Sequence, residues 1–253
     1  MRRRSIGGLI LVAFLAALAA GVLVPVRAAA DPKELTVDEV LDQMNKKSAS
    51  VTDLRAIAQV TKFDSTFEEK HQLRMELAYK KPDLTRVDTY KKRDGKEVHS
   101  QELIMGKDFL LRVWPENRHG ELRRMTPEEM KREREDPNDP LSFFSRPPED
   151  LKKDFDVKLV PAAKPGTVKL TLAPRNEQVK FDYKSVELVV DTATWMPATV
   201  KAMTGGEEDD WALYEFDKVV VNGGIDASVF AAPKDITIEE VDENAPVPKD
   251  DGK

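Results

Sequence analysis

From Leu54 onward, apolar side chains recur at every second position along most of the chain. Leu54-Ala56-Ala58-Val60, Leu73-Met75-Leu77-Tyr79 and Phe109-Leu111-Val113 alternate with mostly polar residues, and so do Val168-Leu170-Leu172, Val186-Leu188-Val190 and Ala198-Val200-Ala202. A period of two belongs to a strand whose successive side chains point to opposite sides, so this pattern calls for sheet with one apolar face. Turn residues separate the runs. Lys92-Arg93-Asp94-Gly95 is a hairpin signal, because Asp-Gly takes the left-handed angles of a tight turn. Gly205-Gly206 before the acidic Glu207–Asp210, and then Asn222-Gly223-Gly224, turn the chain again. Strands do not alternate with long helices. The expected fold is therefore mainly β, a large antiparallel sheet of about ten strands.

Three helical pieces interrupt this rhythm. Leu35–Asn45 has apolar residues at helical spacing, with Thr36 and Glu39 placed to form a capping box. Thr126–Asp136 reads as a short charged helix with Pro127 in its first turn. Asp139–Phe155 carries a Leu141-Phe143-Phe144 knob, a Pro147-Pro148 break and a second helical piece, which reads as a lid or plug.

The N-terminus reads as an export signal. Arg2-Arg3-Arg4 precede the apolar run Leu9–Ala20, and Ala28-Ala29-Ala30 supply small residues for cleavage before Asp31. An uncleaved anchor is the alternative, since Ser5–Val26 carries no charge. The expected organisation is a signal peptide over 1–30, one binding domain over 31–240 and a disordered polar tail over 241–253, with the mature protein in a periplasm.

Composition removes several function classes. The net charge is −6, and every charge in residues 1–30 is an Arg, so the remainder is more acidic still. That argues against nucleic acid, which rewards clustered Lys and Arg. The absence of cysteine excludes disulfides, thiolate catalysis and a lipidated N-terminal Cys. No nucleophile elbow, zinc-protease helix, phosphate loop or dinucleotide fingerprint occurs. His71, His99 and His119 are far apart among polar residues and read as solvated. Neither a metal, nor a cofactor, nor an enzymatic activity is expected.

The ordered set of elements resembles the LolA family of periplasmic lipoprotein carriers. Leu35–Asn45 is similar to its opening helix and Leu54–Phe63 to its first strand. Tyr79–Val87 resembles its Pro-containing strand turn, and Gly106–Phe109 with Trp114-Pro115-Glu116 its Gly-Lys hairpin. The stretch Val186–Phe230 resembles its paired strands, Asn-rich turn and closing Phe. The resemblance implies a curved, unclosed β-barrel whose concave apolar face is lidded by helices and takes acyl chains of lipoproteins or related lipids. It also implies an inner-membrane release complex and an outer-membrane acceptor as partners, and a monomer. Strand alternation then nominates Leu73, Met75, Leu77, Tyr79, Leu111, Val113, Leu170, Leu188, Val190, Val200 and Leu213 for the cavity. Lys81, Leu141, Phe143 and Phe144 are nominated for the lid. Lys81 stands where the family places an Arg, and Lys cannot reproduce that residue's forked donor. The second reading is a sensor resembling RseB, acting on a membrane partner; that family carries a second domain.

Overall fold

The computed structural model describes residues 35–134, 146–175, 183–204 and 210–241. Helix α1 (Val37–Ser50) leads into strands β1 (Asp53–Asp64), β2 (Glu69–Lys80), β3 (Leu84–Arg93), β4 (Lys96–Met105), β5 (Phe109–Trp114) and β6 (His119–Arg124). Two helices follow, α2 (Pro127–Arg134) and α3 (Pro148–Asp154). Strands β7 (Phe155–Val160), β8 (Thr167–Pro174), β9 (Tyr183–Asp191), β10 (Met196–Thr204) and β11 (Trp211–Val221) complete the second half. A 3-10 turn (Ala227–Phe230) and β12 (Thr237–Glu240) end it.

The strands form one open sheet of twelve, in the order β12-β6-β5-β4-β3-β2-β1-β11-β10-β9-β8-β7. It consists of two antiparallel meanders joined where β1 pairs with β11, and only β12 is added parallel, beside β6. The Asp94-Gly95 hairpin sits where expected, both residues in the left-handed region at φ 52° and 75°.

Helix α1 begins at the expected capping box. The Glu39 amide donates to the Thr36 hydroxyl at 3.2 Å, while the Thr36 amide donates to the Glu39 carboxylate at 2.9 Å. A second capping box opens α2, where Thr126 and Glu129 exchange the same pair of bonds. These bonds hold the Glu129 carboxyl below its ordinary value. Helix α1 runs on to Ser50, beyond the expected Asn45. Its last carbonyls find tertiary partners, described below, that no local pattern announces.

Both faces of the sheet are cored, and this corrects the expectation of a single apolar face. On one, called here the helix face, Val40, Leu41 and Met44 of α1 and Leu151 of α3 pack on Leu170, Leu172, Val186, Leu188, Val190, Val200 and Ala202. Further along the same face, α2 brings Met130 against Leu110 and Met125. On the other, the loop face, Ile225 and Phe230 from the C-terminal segment cover Ala78, Ile104, Leu111 and Val113. Gly120 lies beneath that segment, where a Cβ would stand 3.4 Å from the Ile236 side chain.

Phe155 is fully buried where α3 meets β7. Phe155→Ala should cost about 3–5 kcal/mol, because the cavity cannot collapse against a hydrogen-bonded sheet. Thr36→Ala, which removes only a cap, should cost about 1 kcal/mol. Urea denaturation midpoints of the two variants test this ranking.

Candidate functional site

On the helix face, β2 and β3 lie between the area covered by α1 and α3 and the area covered by α2. Register places Leu73 beside Val60, Met75 beside Ala58, and Leu77 between Ala56 and Val87. Val87 in turn lies beside Leu103. These contacts form a continuous apolar strip. Ala56 and Ala58 are small, so the strip's floor on β1 is low, and Leu73, Met75, Leu77 and Val87 stay only half-buried. None of those four joins the three packed cores among the described residues. An apolar surface without its own packing partner is where an apolar ligand gains most by binding.

The structure divides the nominated residues into four groups. Leu73, Met75, Leu77 and Tyr79 lie together on the strip, Tyr79 at its end beside Leu54. Leu170, Leu188, Val190 and Val200 share that face, but are fully buried beneath α1 and α3. Leu111 and Val113 point to the loop face and are buried under Ile225 and Phe230. Leu213 is also on the loop face, beside Thr61 and Lys201. Strand alternation assigns parity within a strand but not which side of the sheet each parity occupies, so the nomination mixes residues from opposite faces. Leu141, Phe143 and Phe144 lie outside the described residues, as does the N-terminal export segment.

Lys81 bonds to α1 and, among the described residues, not to the Asp139–Phe155 segment read as the lid. Its Nζ donates to the Ala49 carbonyl in the last turn of α1, at 2.7 Å. Asn222 completes the anchorage. Its side chain donates to the Ser50 carbonyl at 3.1 Å and accepts from the Thr52 amide at 2.7 Å. Its backbone amide donates to the Asp53 carbonyl at 2.8 Å, and the Asp53 side chain accepts from the Gly224 amide at 3.0 Å. A cation against the exposed carbonyls of a helix C-terminus is favourable for both hydrogen bonding and the helix dipole. One end of α1 is thus tied by a few polar bonds to the β2–β3 turn and to the end of β11.

A polar cluster that the sequence reading missed occupies the loop face of β3 and β4. Arg86 Nε donates to both Asp88 carboxylate oxygens at 3.0 and 2.9 Å. Its Nη2 lies 3.0 Å from Glu102 Oε2, and its Nη1 donates to the Val229 carbonyl at 3.1 Å. His99 stacks on Tyr90 at 4.6 Å, with Nε2 3.4 Å from Asp88 and Nδ1 3.6 Å from Glu102. His99 is therefore half-buried among carboxylates, not solvated as the sequence suggested. A register shift between Thr89 and Tyr90 sets its ring opposite Tyr90, and sequence spacing does not reveal such a shift. Burial pushes the Glu102 carboxyl above its ordinary value, and Asp88 adds to this; Arg86 and His99 oppose it. Donor atoms of Asp88, His99 and Glu102 lie within 4.8 Å of one another, a spacing that suits a metal ion. The Arg86 guanidinium, however, already supplies the positive charge there. The cluster works as a clamp holding the C-terminal segment on the sheet through Val229.

No protein-family model matches the chain, and neither does any curated protein sequence. Solved structures do. An uncharacterised conserved protein from Thermus thermophilus aligns with a TM-score of 0.52 at 13% identity, over 81% of this chain and 98% of its own. The two share a fold. A LolA superfamily protein from Nitrosomonas europaea aligns at 0.39 and 8% identity, over 79% of this chain and 99% of its own. Pseudomonas aeruginosa MucB in its MucA complex aligns at 0.41 and 12%, over 80% of this chain and 63% of the MucB chain.

Arg86→Met should destabilise the protein by roughly 3–5 kcal/mol, because it leaves the buried Glu102 and the half-buried Asp88 without their cation. Glu102→Gln should be milder and should alter the pH dependence. The raised Glu102 takes up a proton in the folded state before it does so unfolded. Wild type should therefore gain stability relative to Glu102→Gln as pH falls through that raised value toward the ordinary range near about 4.3. Thermal melts of both proteins between neutral and mildly acidic pH measure this; a pH-independent gap would contradict it.

Proposed function

We propose that the protein is a non-enzymatic periplasmic carrier that binds the acyl chains of lipoproteins or related lipids on the helix-face strip. The observation that carries the proposal is the row Leu73, Met75, Leu77 and Val87, left half-buried between two helical covers. The sequence resemblance to lipoprotein carriers supports the same reading. A buried methylene is worth about 0.8 kcal/mol, so an acyl chain exposed in water costs on the order of ten kcal/mol. A carrier needs a surface that accepts this chain and a cover that can yield. The Lys81–Ala49 and Asn222–Ser50 bonds tie down one end of α1 with exposed polar contacts, which water can replace at little cost. Among the described residues no helix is long and apolar enough to cross a membrane.

Met75→Glu and Leu73→Glu place a charge on the strip at half-buried positions where the fold tolerates it. Both should abolish release of newly made lipoprotein from spheroplasts by the purified protein, while thermal melts remain cooperative. Acylated lipoprotein would be detected in the supernatant as a complex with wild type. Release unaffected by both variants would overturn the strip as the binding surface. Stable capture of a membrane protein's periplasmic segment, without lipoprotein release, would favour the sensor reading.

A further inference from the structure

The loop face carries a groove of about 330 Å³ between the C-terminal segment and strands β11, β1, β2 and β3. Ile57, Ala78, Val220 and Val229 give it apolar walls, and Val220 is 52% exposed. Arg55, Glu76, Arg86, Asp88 and Lys218 supply the charges. Both acids already have a cation, Glu76 in Arg74 and Asp88 in Arg86, each cation shared with a second carboxylate, Glu97 and Glu102 respectively. Arg55 and Lys218 have no ion-pair partner among the described residues. Two cations with no ion pair among the described residues, beside an exposed apolar wall, are the complement of a molecule with an anionic head and an apolar tail. The carboxylate next to them, Asp217, accepts from the Lys218 backbone amide.

The backbone is shaped to bring these cations together. Ile57 pairs with Asp217 and Arg55 with Val220, so Lys218 and Val219 stand opposite the single Ala56 in a β-bulge. Lys218 adopts φ 53°, uncommon for a residue with a side chain, and the bulge turns it toward the groove that Arg55 borders. The volume is at the small end of ligand sites, which suits one aliphatic chain and not two.

We propose that this groove binds a single-chain anionic amphiphile of the fatty-acid type, with the carboxylate held between Arg55 and Lys218 and the chain laid over Val220, Ile57 and Val229. Ile57, Ala78, Arg55 and Val220 lie on the face opposite the strip, while Ala56 and Leu77, which belong to the strip, also border the groove.

The test is isothermal titration of sodium dodecanoate into the Met75→Glu protein, in which the helix-face strip carries a charge; Leu73→Glu takes its place if Met75→Glu does not fold. One dodecanoate should bind. Adding Arg55→Gln and Lys218→Gln should weaken that binding at least about tenfold, the size expected for loss of a charge-assisted bond. Dodecyltrimethylammonium, with the same tail and the opposite charge, should not bind. The proposal is overturned if Met75→Glu and Leu73→Glu both lose dodecanoate while wild type retains it, or if loss of both cations changes nothing. Equal binding of the cationic amphiphile overturns it too. A preference for a polyglutamate peptide over dodecanoate would overturn it in favour of a protein partner.

Discussion

Pairing of β1 with β11 brings together stretches from opposite ends of the chain, Leu54 beside Val221 and Phe63 beside Trp211. Without it the two meanders would be separate sheets, each with an extra edge of unpaired amides and carbonyls. Much else depends on it. The pairing sets Asn222 against Thr52 and the end of α1, and it delivers the segment after β11 to the loop face of β3–β5. It also creates the bulge at Lys218. Closing so long a loop is entropically costly before the contacts that reward it exist, so this pairing is expected to form late in folding.

With the sheet joined, the rest follows from the need to cover two faces with few helices. Helices α1 and α3 cover the β7–β10 half of one face, and α2 covers its far end near β5. The C-terminal segment serves on the opposite face, held by Phe230 and Ile225 in the core and by Arg86 through Val229. The middle of the helix face receives none of these covers. The half-buried strip on β2 and β3 is what remains, and its position is a consequence of where the helices end.

Much of this architecture is legible in the residues. The period of two locates most strands, Asp94-Gly95 marks its hairpin, and the Thr36–Glu39 and Thr126–Pro127 signals place two helix starts within two residues. The site is legible in part. Leu73, Met75, Leu77 and Tyr79 are grouped by alternation and do share a face, whereas Leu111, Val113 and Leu213 are grouped with them and lie on the other. Lys81 is singled out through the family resemblance, and its bond to Ala49 reaches a helix far back in the chain. The Arg86–Asp88–His99–Glu102 cluster gives no sign, because a bulge and a distant carbonyl assemble it.

Local physics determines what neighbouring residues can settle among themselves: strand or helix, turn or cap, and which side chains of one strand share a side. Composition settles as much about chemistry, since a chain without cysteine and with an acidic balance is excluded from several classes of function. Which side of the sheet each parity faces was decided only in the tertiary structure, as were the extension of α1 to Ser50 and the positions of the half-buried strip and the groove. All of these depend on contacts between residues far apart in the chain, whose free energy exists only once the sheet has closed around β1 and β11.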